Sequence, residues 1–303
     1  MYDVMIIGAG PSGMTAAVYA ARKKLHTLLI SKDIGGQTNW TNSIENYMGY
    51  QFIEGPELIE KFENQVKQFP IDLKIGDGVS SISLIDKGFE IHTESGQTYQ
   101  GKTGIIATGK RPRSLNIPGE EKFRGKGVSY CSICDAPLFE GMNVAVVGGG
   151  NSALEAADDL IKIGEHVYLI SLTPLTGDQV LIDKVTKAPN LTVYTEHETL
   201  SIDGDNFVSR ITVRDLKSNE IRELDVKGIF VEIGLIPNSD LAKGLAPFNR
   251  LSEIEVNCNC ETVVPGLFSA GDVTNTPEKQ IIIAAGDGAK AALRVYHYLQ
   301  RLS

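Results

Sequence analysis

The chain has 303 residues, 42% of them hydrophobic and 22% charged, and its net charge is −9 at pH 7. This length predicts about two domains, and the acidic balance argues against a nucleic-acid surface, because no basic stripe is present to neutralise phosphates. The apolar runs fall short of the roughly 20 residues that a membrane span requires, so we expect no membrane partner.

The N-terminal residues predict a strand, a glycine-rich turn and a helix in succession. The apolar run Val4–Ile7 follows Tyr2-Asp3 directly, without the pattern of a signal peptide, which favours a cytoplasmic protein. A Gly-x-Gly-x-x-Gly turn comes next, then a helix to about Lys24 and a second strand over Thr27–Ile30. In a βαβ unit such a turn is typical of a dinucleotide site, because its glycines let the pyrophosphate approach the helix N-terminus. The expected contacts are Gly8, Gly10, Pro11, Ser12 and Gly13.

A Cys-x-x-Cys motif, Cys131 and Cys134, follows in the middle of the chain. Thiols at this spacing form a reducible disulfide in which one sulfur can be attacked and the other exchanged. Asp135 comes directly after the motif and is placed to protonate a leaving thiolate. We therefore predict Cys131, Cys134 and Asp135 as catalytic residues. The alternatives for the motif by itself are half of a zinc site or two packed thiols.

A second strand, glycine turn and helix begins with Val144–Val147. The turn is followed by a helix to about Ile163 and a strand over Val167–Ile170. Two such units in one chain indicate two dinucleotides, usually a flavin and a nicotinamide. The residues expected to contact the second dinucleotide are Gly148, Gly150, Asn151 and Ser152.

A second pair of cysteines, Cys258 and Cys260, lies in the alternating run 255–260. Alternation predicts a strand with both thiols on one face. Zinc-binding pairs usually lie on tight turns, so plain packing is expected here, and a four-cysteine zinc site is the alternative.

Two further apolar runs end at small residues, Ile105–Gly109 and Gly266–Asp272. Asp272 can hydrogen-bond a hydroxyl of the dinucleotide that the first glycine turn binds. We therefore predict an α/β fold of two Rossmann-like domains, the second inserted into the first. Residues 1–113 and 244–303 would bind FAD, and residues 114–243 would form a nicotinamide-binding-like domain that carries the Cys-x-x-Cys motif. The expected FAD contacts in the two runs are Thr108, Gly109, Gly271 and Asp272.

An acid that accepts from a ribose 2′-hydroxyl often ends the second strand of such units. Ser31 and Ser171 occupy these positions and are expected to line the two sites.

Together these motifs resemble the thioredoxin reductase family from residue 3 to about residue 293. The further matching stretches are Gly35-Gly36-Gln37, Glu45-Asn46-Tyr47 and Lys279-Gln280-Ile281. The similarity is greatest to the C-terminal part of the alkyl hydroperoxide reductase flavoprotein subunit. That similarity is carried by Asp178-Gln179-Val180-Leu181, Gly228-Ile229-Phe230-Val231, Gly234–Asn238 and Lys279–Ile283.

The resemblance implies a flavin-dependent disulfide reductase. Cys134 would face the flavin, and Cys131 would exchange with a thioredoxin-like or glutaredoxin-like carrier protein. The cofactors would be FAD with NADH or NADPH, and the protein would be a homodimer. The additional FAD contacts would be Gly36, Gln37, Asn46, Lys279, Gln280 and Ile281.

The electron donor is the point at which the sequence departs from that family. Members that use NADPH have a His-Arg-Arg stretch where this chain has Ser171-Leu172-Thr173-Pro174, with no cation for a 2′-phosphate. NADH is slightly favoured, and a donor other than a nicotinamide stays open. Competing functions are an NADH-dependent flavin oxidase, a reductase of a peroxiredoxin system and a non-catalytic flavoprotein.

Overall fold

The computed structural model describes residues 1–41 and 44–302. The chain divides into two compact units, Met1–Arg111 with Ile236–Ser303 and Pro112–Leu235. The second border falls before Ile236 rather than after Lys243, the expected position. The reason is that Leu241 and Ala242 pack in the hydrophobic core of the discontinuous unit.

The elements follow one another in three stretches. The first stretch forms β1 (Tyr2–Ala9), α1 (Pro11–Arg22), β2 (Thr27–Ile34), α2 (Gly55–Val66), β3 (Ile71–Ile75), β4 (Val79–Ile85), β5 (Gly88–Thr93), β6 (Thr98–Ile106) and β7 (Lys110–Pro112). The second forms β8 (Val128–Ser129), α3 (Ser132–Asp135), β9 (Asn143–Val147), α4 (Asn151–Leu160), β10 (His166–Ser171), α5 (Gln179–Val185), β11 (Leu191–Thr195), β12 (His197–Gly204), β13 (Val208–Asp215), β14 (Ile221–Asp225) and β15 (Gly228–Val231). The third forms β16 (Leu235–Pro237), β17 (Leu267–Ser269) and α6 (Ile281–Leu302).

The discontinuous unit is built on one sheet with strand order β3-β2-β1-β6-β5-β4, and β17 pairs with β6. The strands β3, β2, β1, β6 and β17 run parallel, and β4 and β5 complete the sheet in antiparallel fashion. Strand β1 reads as a continuous apolar run because both of its faces are buried. Val4 and Ile6 pack against the helices α1 and α6, whereas Met5 and Ile7 pack on the opposite face.

The continuous unit contains a parallel sheet with strand order β11-β10-β9-β15-β8 and a separate antiparallel sheet β12-β13-β14. Val144 and Val146 of β9 face the helix α4. Ala145 and Val147 face the core shared with the antiparallel sheet. Each unit thus holds its own strand–glycine–helix motif, and the predicted α/β class is confirmed.

The strand predicted for residues 255–260 is wrong. Asn257 Oδ1 accepts from the backbone N–H groups of Asn259 and Glu261, at 2.9 and 3.1 Å, and this local bonding bends the chain into a turn. Cys258 is exposed while Cys260 is buried in the core, so the two thiols do not share a face. Burial raises the pKa of the Cys260 thiol to about 12, which leaves that thiol unreactive.

None of the helices in residues 1–41 and 44–302 combines the length and the hydropathy that a membrane span requires. Within the same ranges, no three His, Cys, Asp or Glu side chains are grouped in a way that suits a metal ion.

Candidate active site

The first glycine turn packs tightly onto the end of β6. Gly8 adopts a φ of +107°, and a Cβ there would lie 2.4 Å from the carbonyl oxygen of Ala107. A Cβ on Gly13 would lie 1.8 Å from the carbonyl oxygen of Gly8. Both positions therefore require glycine. Gly10 has open space instead, with nothing within 4 Å of the place where its Cβ would be.

Ser12 is the polar side chain at the centre of this turn. It is the second residue of α1 and is 5% exposed, yet its Oγ has no hydrogen-bond partner among residues 1–41 and 44–302. Gly271 packs against the Ser12 side chain, and Gly288 of α6 packs against the Ser12 carbonyl. A buried hydroxyl without a partner costs free energy, and the N-terminus of a helix favours a phosphate. The turn thus fits the pyrophosphate of a dinucleotide.

Asp272 follows the turn at Gly271 and lies in a buried, charged environment. Burial raises the pKa of its carboxyl group, and the nearby lysines Lys279 and Lys110 oppose that rise. Those two lysines bind one carboxylate: Lys110 and Lys279 both pair with Glu253, the latter at 3.1 Å between Nζ and Oε1. A desolvated carboxyl beside the glycine turn is suited to accept from a hydroxyl of the bound dinucleotide.

Three other predicted FAD residues, Gln37, Asn46 and Gln280, form hydrogen bonds within the discontinuous unit. Asn46 Nδ2 donates to Gln280 Oε1 at 3.2 Å, just before α6 begins at Ile281, and Gln37 Nε2 donates to the Lys110 carbonyl at 2.9 Å. Ser31 lies inside β2 opposite Ile75 rather than at the end of the strand.

Asn238 is a residue that the motif analysis does not assign to the FAD site. Its Nδ2 donates to the Thr108 carbonyl at 2.8 Å, and Thr108 Oγ1 donates to the Asn238 carbonyl at 2.7 Å. Its N–H also donates to the Gly109 carbonyl at 2.9 Å. Asn238 thus fixes the predicted turn at Thr108 and Gly109 across a long sequence separation.

The second glycine turn opens into a cleft of about 710 Å³ inside the continuous unit. Gly148 packs on the Glu232 carbonyl, and a Cβ on Gly149 would lie 2.2 Å from Ser171 Oγ. The side chain of Asn151 is bonded to Asp178, with its Oδ1 accepting from the Asp178 N–H at 2.7 Å. The cleft is lined by residues 113–115, 117, 147–152, 171–173, 197–199 and 232–234.

The part of the cleft beyond β10 holds the predicted donor-specificity positions. Ser171 is 2% exposed, and its Oγ lies beside Gly149 at the wall of the cleft. Leu172 and Thr173 are exposed and uncharged. The residues described at this end of β10 thus offer neither a cation for a 2′-phosphate nor an acid for a 2′-hydroxyl.

The cysteine motif lies at the C-terminal end of the short strand β8. Cys131 and Cys134 form a disulfide with their Cα atoms 5.3 Å apart, and α3 begins between them at Ser132. Both cysteines are partly exposed, and Ile133 between them is 67% exposed. A partner thiol can therefore approach this turn.

Asp135 is held beside the disulfide by Ser129, the last residue of β8. Ser129 Oγ donates to Asp135 Oδ2 at 2.6 Å and accepts from the Cys131 N–H at 3.1 Å. The other carboxyl oxygen, Oδ1, is buried and has no hydrogen-bond partner in the part of the chain that the structure describes. Burial raises the pKa of Asp135, and the bond from Ser129 opposes the rise. Ser129 is not among the predicted site residues, although it orients both the acid and Cys131.

Residues 2–288 match the family described as pyridine nucleotide-disulphide oxidoreductase. The chain belongs to this family. Family membership implies FAD and a nicotinamide dinucleotide as cofactors, which confirms the two cofactor classes predicted from the sequence. The buried Ser12 hydroxyl and the open cleft show that residues suited to both groups are present.

Similar proteins include a solved structure and two curated relatives. Thioredoxin reductase from Streptococcus pyogenes MGAS5005 superposes with a TM-score of 0.94 and 36% identity, covering 99% of each chain. NADH dehydrogenase of Bacillus subtilis is 43% identical over 301 residues, and a subunit of the alkyl hydroperoxide reductase of Escherichia coli is 43% identical over 307 residues. Each of these two alignments covers 99% of this chain but only 59% and 58%, respectively, of the relative's length. The predicted resemblance is confirmed.

Proposed function

We propose that this chain is an FAD-dependent disulfide reductase that passes electrons from NADH to a thioredoxin-like or glutaredoxin-like protein. The observation that carries the proposal is the Cys131–Cys134 disulfide with a buried carboxyl beside it, in the unit that also contains the dinucleotide cleft. The thioredoxin reductase from Streptococcus pyogenes, which matches along its whole length, supports this activity. A homodimer in the cytoplasm stays a prediction.

The cofactors would be held by the residues already described. FAD would lie on the first glycine turn, with Ser12 donating to a phosphate and Asp272 accepting from a hydroxyl. The nicotinamide dinucleotide would lie in the cleft at Gly148–Ser152. When bound, FAD supplies the two-electron carrier between the nicotinamide and the disulfide.

The chemistry of the chain's own residues is thiol–disulfide exchange. In the reduced pair, the Cys131 thiolate attacks one sulfur of the partner's disulfide and forms a mixed disulfide, while the other partner sulfur leaves as a thiolate. The Cys134 thiolate then attacks Cys131, which restores the internal disulfide and releases the second partner thiolate. Asp135 supplies a proton to a leaving thiolate, because its raised pKa lets it hold a proton at a higher pH than an ordinary aspartate.

Asp135→Asn is expected to slow steady-state reduction of a carrier disulfide by about 10²-fold, because one general acid is lost. The loss should fall on the exchange step, measured by stopped flow with pre-reduced enzyme, and reduction of the enzyme by NADH should be nearly unchanged. Asp205→Asn, an exposed aspartate after β12, is the control and should behave as wild type. An equal loss in both half-reactions would show that Asp135 has only a structural role.

The donor is tested by anaerobic titration with NADH and NADPH in parallel, monitoring loss of the flavin absorbance. We expect NADH to be the better donor in the wild type. Replacing Leu172 and Thr173 by arginine should shift the ratio toward NADPH by about tenfold or more, because a guanidinium binds a phosphate with two hydrogen bonds.

Val180→Arg adds a cation on α5 outside the cleft and is the matched control, since Val180 is 80% exposed. A ratio that does not change in the Leu172 and Thr173 variant would argue against nicotinamide binding in this cleft. Failure of both nucleotides to bleach the flavin would contradict the proposed function itself.

A further inference from the structure

Glu232 is a carboxylate next to the disulfide that the proposed reaction does not use. It directly follows β15, which pairs in parallel with β8 through Ile229 with Val128 and Phe230 with Ser129. Continuing this register places Glu232 beside the start of the cysteine turn. Its Oε1 accepts from the N–H of Ser132, the residue after Cys131, at 3.4 Å.

The same residue also borders the dinucleotide cleft. Its N–H donates to the Val147 carbonyl at 2.8 Å, and its own carbonyl packs against Gly148, the first glycine of the turn. Glu232 and the two residues that follow it line the cleft. One residue therefore contacts the disulfide turn and borders the space where the donor would bind.

The charges around Glu232 do not neutralise it. No cation is among the causes of its pKa shift, and the neighbouring charge that contributes to that shift is another carboxylate, Glu155 of α4. Burial raises the pKa of Glu232 to about 7, the Ser132 N–H opposes this rise, and Glu155 adds to it. Three other charged or titratable groups line the same cleft, namely Arg113 and, at the start of β12, His197 and Glu198. A fourth, Asp135, ends α3 in the cysteine turn.

We propose that Glu232 is a positioning residue of the Cys131–Cys134 pair, and that it takes up a proton when the disulfide is reduced. As a carboxylate it holds the turn through Ser132 N–H, and as a neutral acid it releases that hold. The proposal rests on the proposed function, because it assigns a regulatory role within the same redox site.

The proton balance follows from the charge that reduction creates. Reduction by the enzyme's two-electron carrier breaks the S–S bond and leaves two sulfur anions, one of which is protonated to a thiol. The remaining thiolate belongs to the turn whose Ser132 N–H donates to Glu232, and a second negative charge beside it is disfavoured, so we expect the pKa of Glu232 to rise further on reduction. At a pH between the pKa of Glu232 in the oxidised protein and its pKa in the reduced protein, Glu232 therefore binds one extra proton for every two electrons.

The test is the pH dependence of the midpoint potential of the disulfide. The FAD-loaded protein is equilibrated in dithiothreitol redox buffers from about pH 5.5 to about pH 9, and the free thiols are quantified. Above about pH 7, the equilibrium constant for reduction of the disulfide should change with pH more steeply in wild type than in Glu232→Gln. The expected difference is tenfold per pH unit, which corresponds to about 30 mV per pH unit for a two-electron couple. Below about pH 6 the two slopes should agree, because Glu232 is then protonated in both redox states.

Three further variants make the result specific. Glu155→Gln should move the onset of the extra slope to lower pH, because it removes the neighbouring negative charge. Asp135→Asn should keep the extra slope, and the exposed Glu140→Gln should match wild type.

Equal slopes for wild type and Glu232→Gln above about pH 7, or an onset that Glu155→Gln does not move, would overturn the proposal. Dithiothreitol reduces the disulfide without a nicotinamide. A failure of NADH to reduce the protein would therefore contradict the proposed function while leaving this test decisive for Glu232.

Discussion

Cys134→Ser is expected to abolish reduction of a carrier disulfide, by at least about 10³-fold, while the purified protein stays yellow with bound FAD. Cys134 lies in the continuous unit, whereas the predicted FAD residues lie in the discontinuous unit. The variant removes the sulfur that we expect to relay electrons and leaves the predicted flavin contacts intact. The measurements are the flavin absorbance of the purified protein and steady-state turnover with a carrier that contains a Cys-x-x-Cys motif.

Cys258→Ser is the matched control, because it removes an exposed thiol that is not part of the disulfide, and it should keep full activity. Cys131→Ser should also stop turnover but leave a thiol at Cys134, for which we expect a long-wavelength charge-transfer band. A colourless Cys134→Ser protein would contradict the assignment of FAD to the other unit. The long-wavelength band in Cys134→Ser instead of Cys131→Ser would reverse the roles of the two sulfurs.

Gly13→Ala is expected to have the largest effect on the fold. Its Cβ would lie 1.8 Å from the Gly8 carbonyl oxygen, so the strand and helix of the first motif must separate. We expect a loss of about 3 kcal/mol or more in the free energy of unfolding, together with loss of FAD. Thermal unfolding followed by circular dichroism and the flavin content of the purified protein measure the two effects.

Gly10→Ala separates binding from folding at the same turn. Its φ of −77° suits any residue, and the place of its Cβ is open, so the fold should keep its stability. The new methyl group would occupy space toward the expected pyrophosphate, and FAD affinity should fall. Gly286→Ala on α6, also without a steric neighbour, is the control for both measurements. Full FAD content in Gly10→Ala would argue against binding at this turn.

The parts of the fold that can be predicted from the sequence are those that depend on local patterns. A strand, a glycine turn and a helix follow one another within about 25 residues, and each pattern is sufficient to indicate its element. The Cys-x-x-Cys disulfide is equally local. Alternation indicates a strand only where no side chain hydrogen-bonds the backbone of its neighbours. The prediction for the run 255–260 fails because Asn257 Oδ1 accepts from the Asn259 N–H and so favours a turn.

The site residues that sequence motifs do not reveal act mostly over long sequence separations. Glu232 and Ser132 are 100 positions apart, and they meet because β15 lies between β9 and β8 in the sheet. Asn238 and Thr108 are 130 positions apart. Ser129 is close to Asp135 in sequence, but its role depends on the bend that carries the chain from β8 into α3. Such contacts follow from strand order and chain direction, which no single motif specifies.

The packing of Gly271 and Gly288 against Ser12 bears on the order in which the two units are completed during translation. During synthesis the first glycine turn leaves the ribosome early, but Gly271 and Gly288, which enclose Ser12, are translated much later. Residues 112–235 are contiguous and can fold while the rest is still being translated. The growing chain would therefore complete its disulfide-bearing unit before Gly288 of α6 encloses Ser12. If FAD binds at the first glycine turn as proposed, we expect its capture to follow the synthesis of α6.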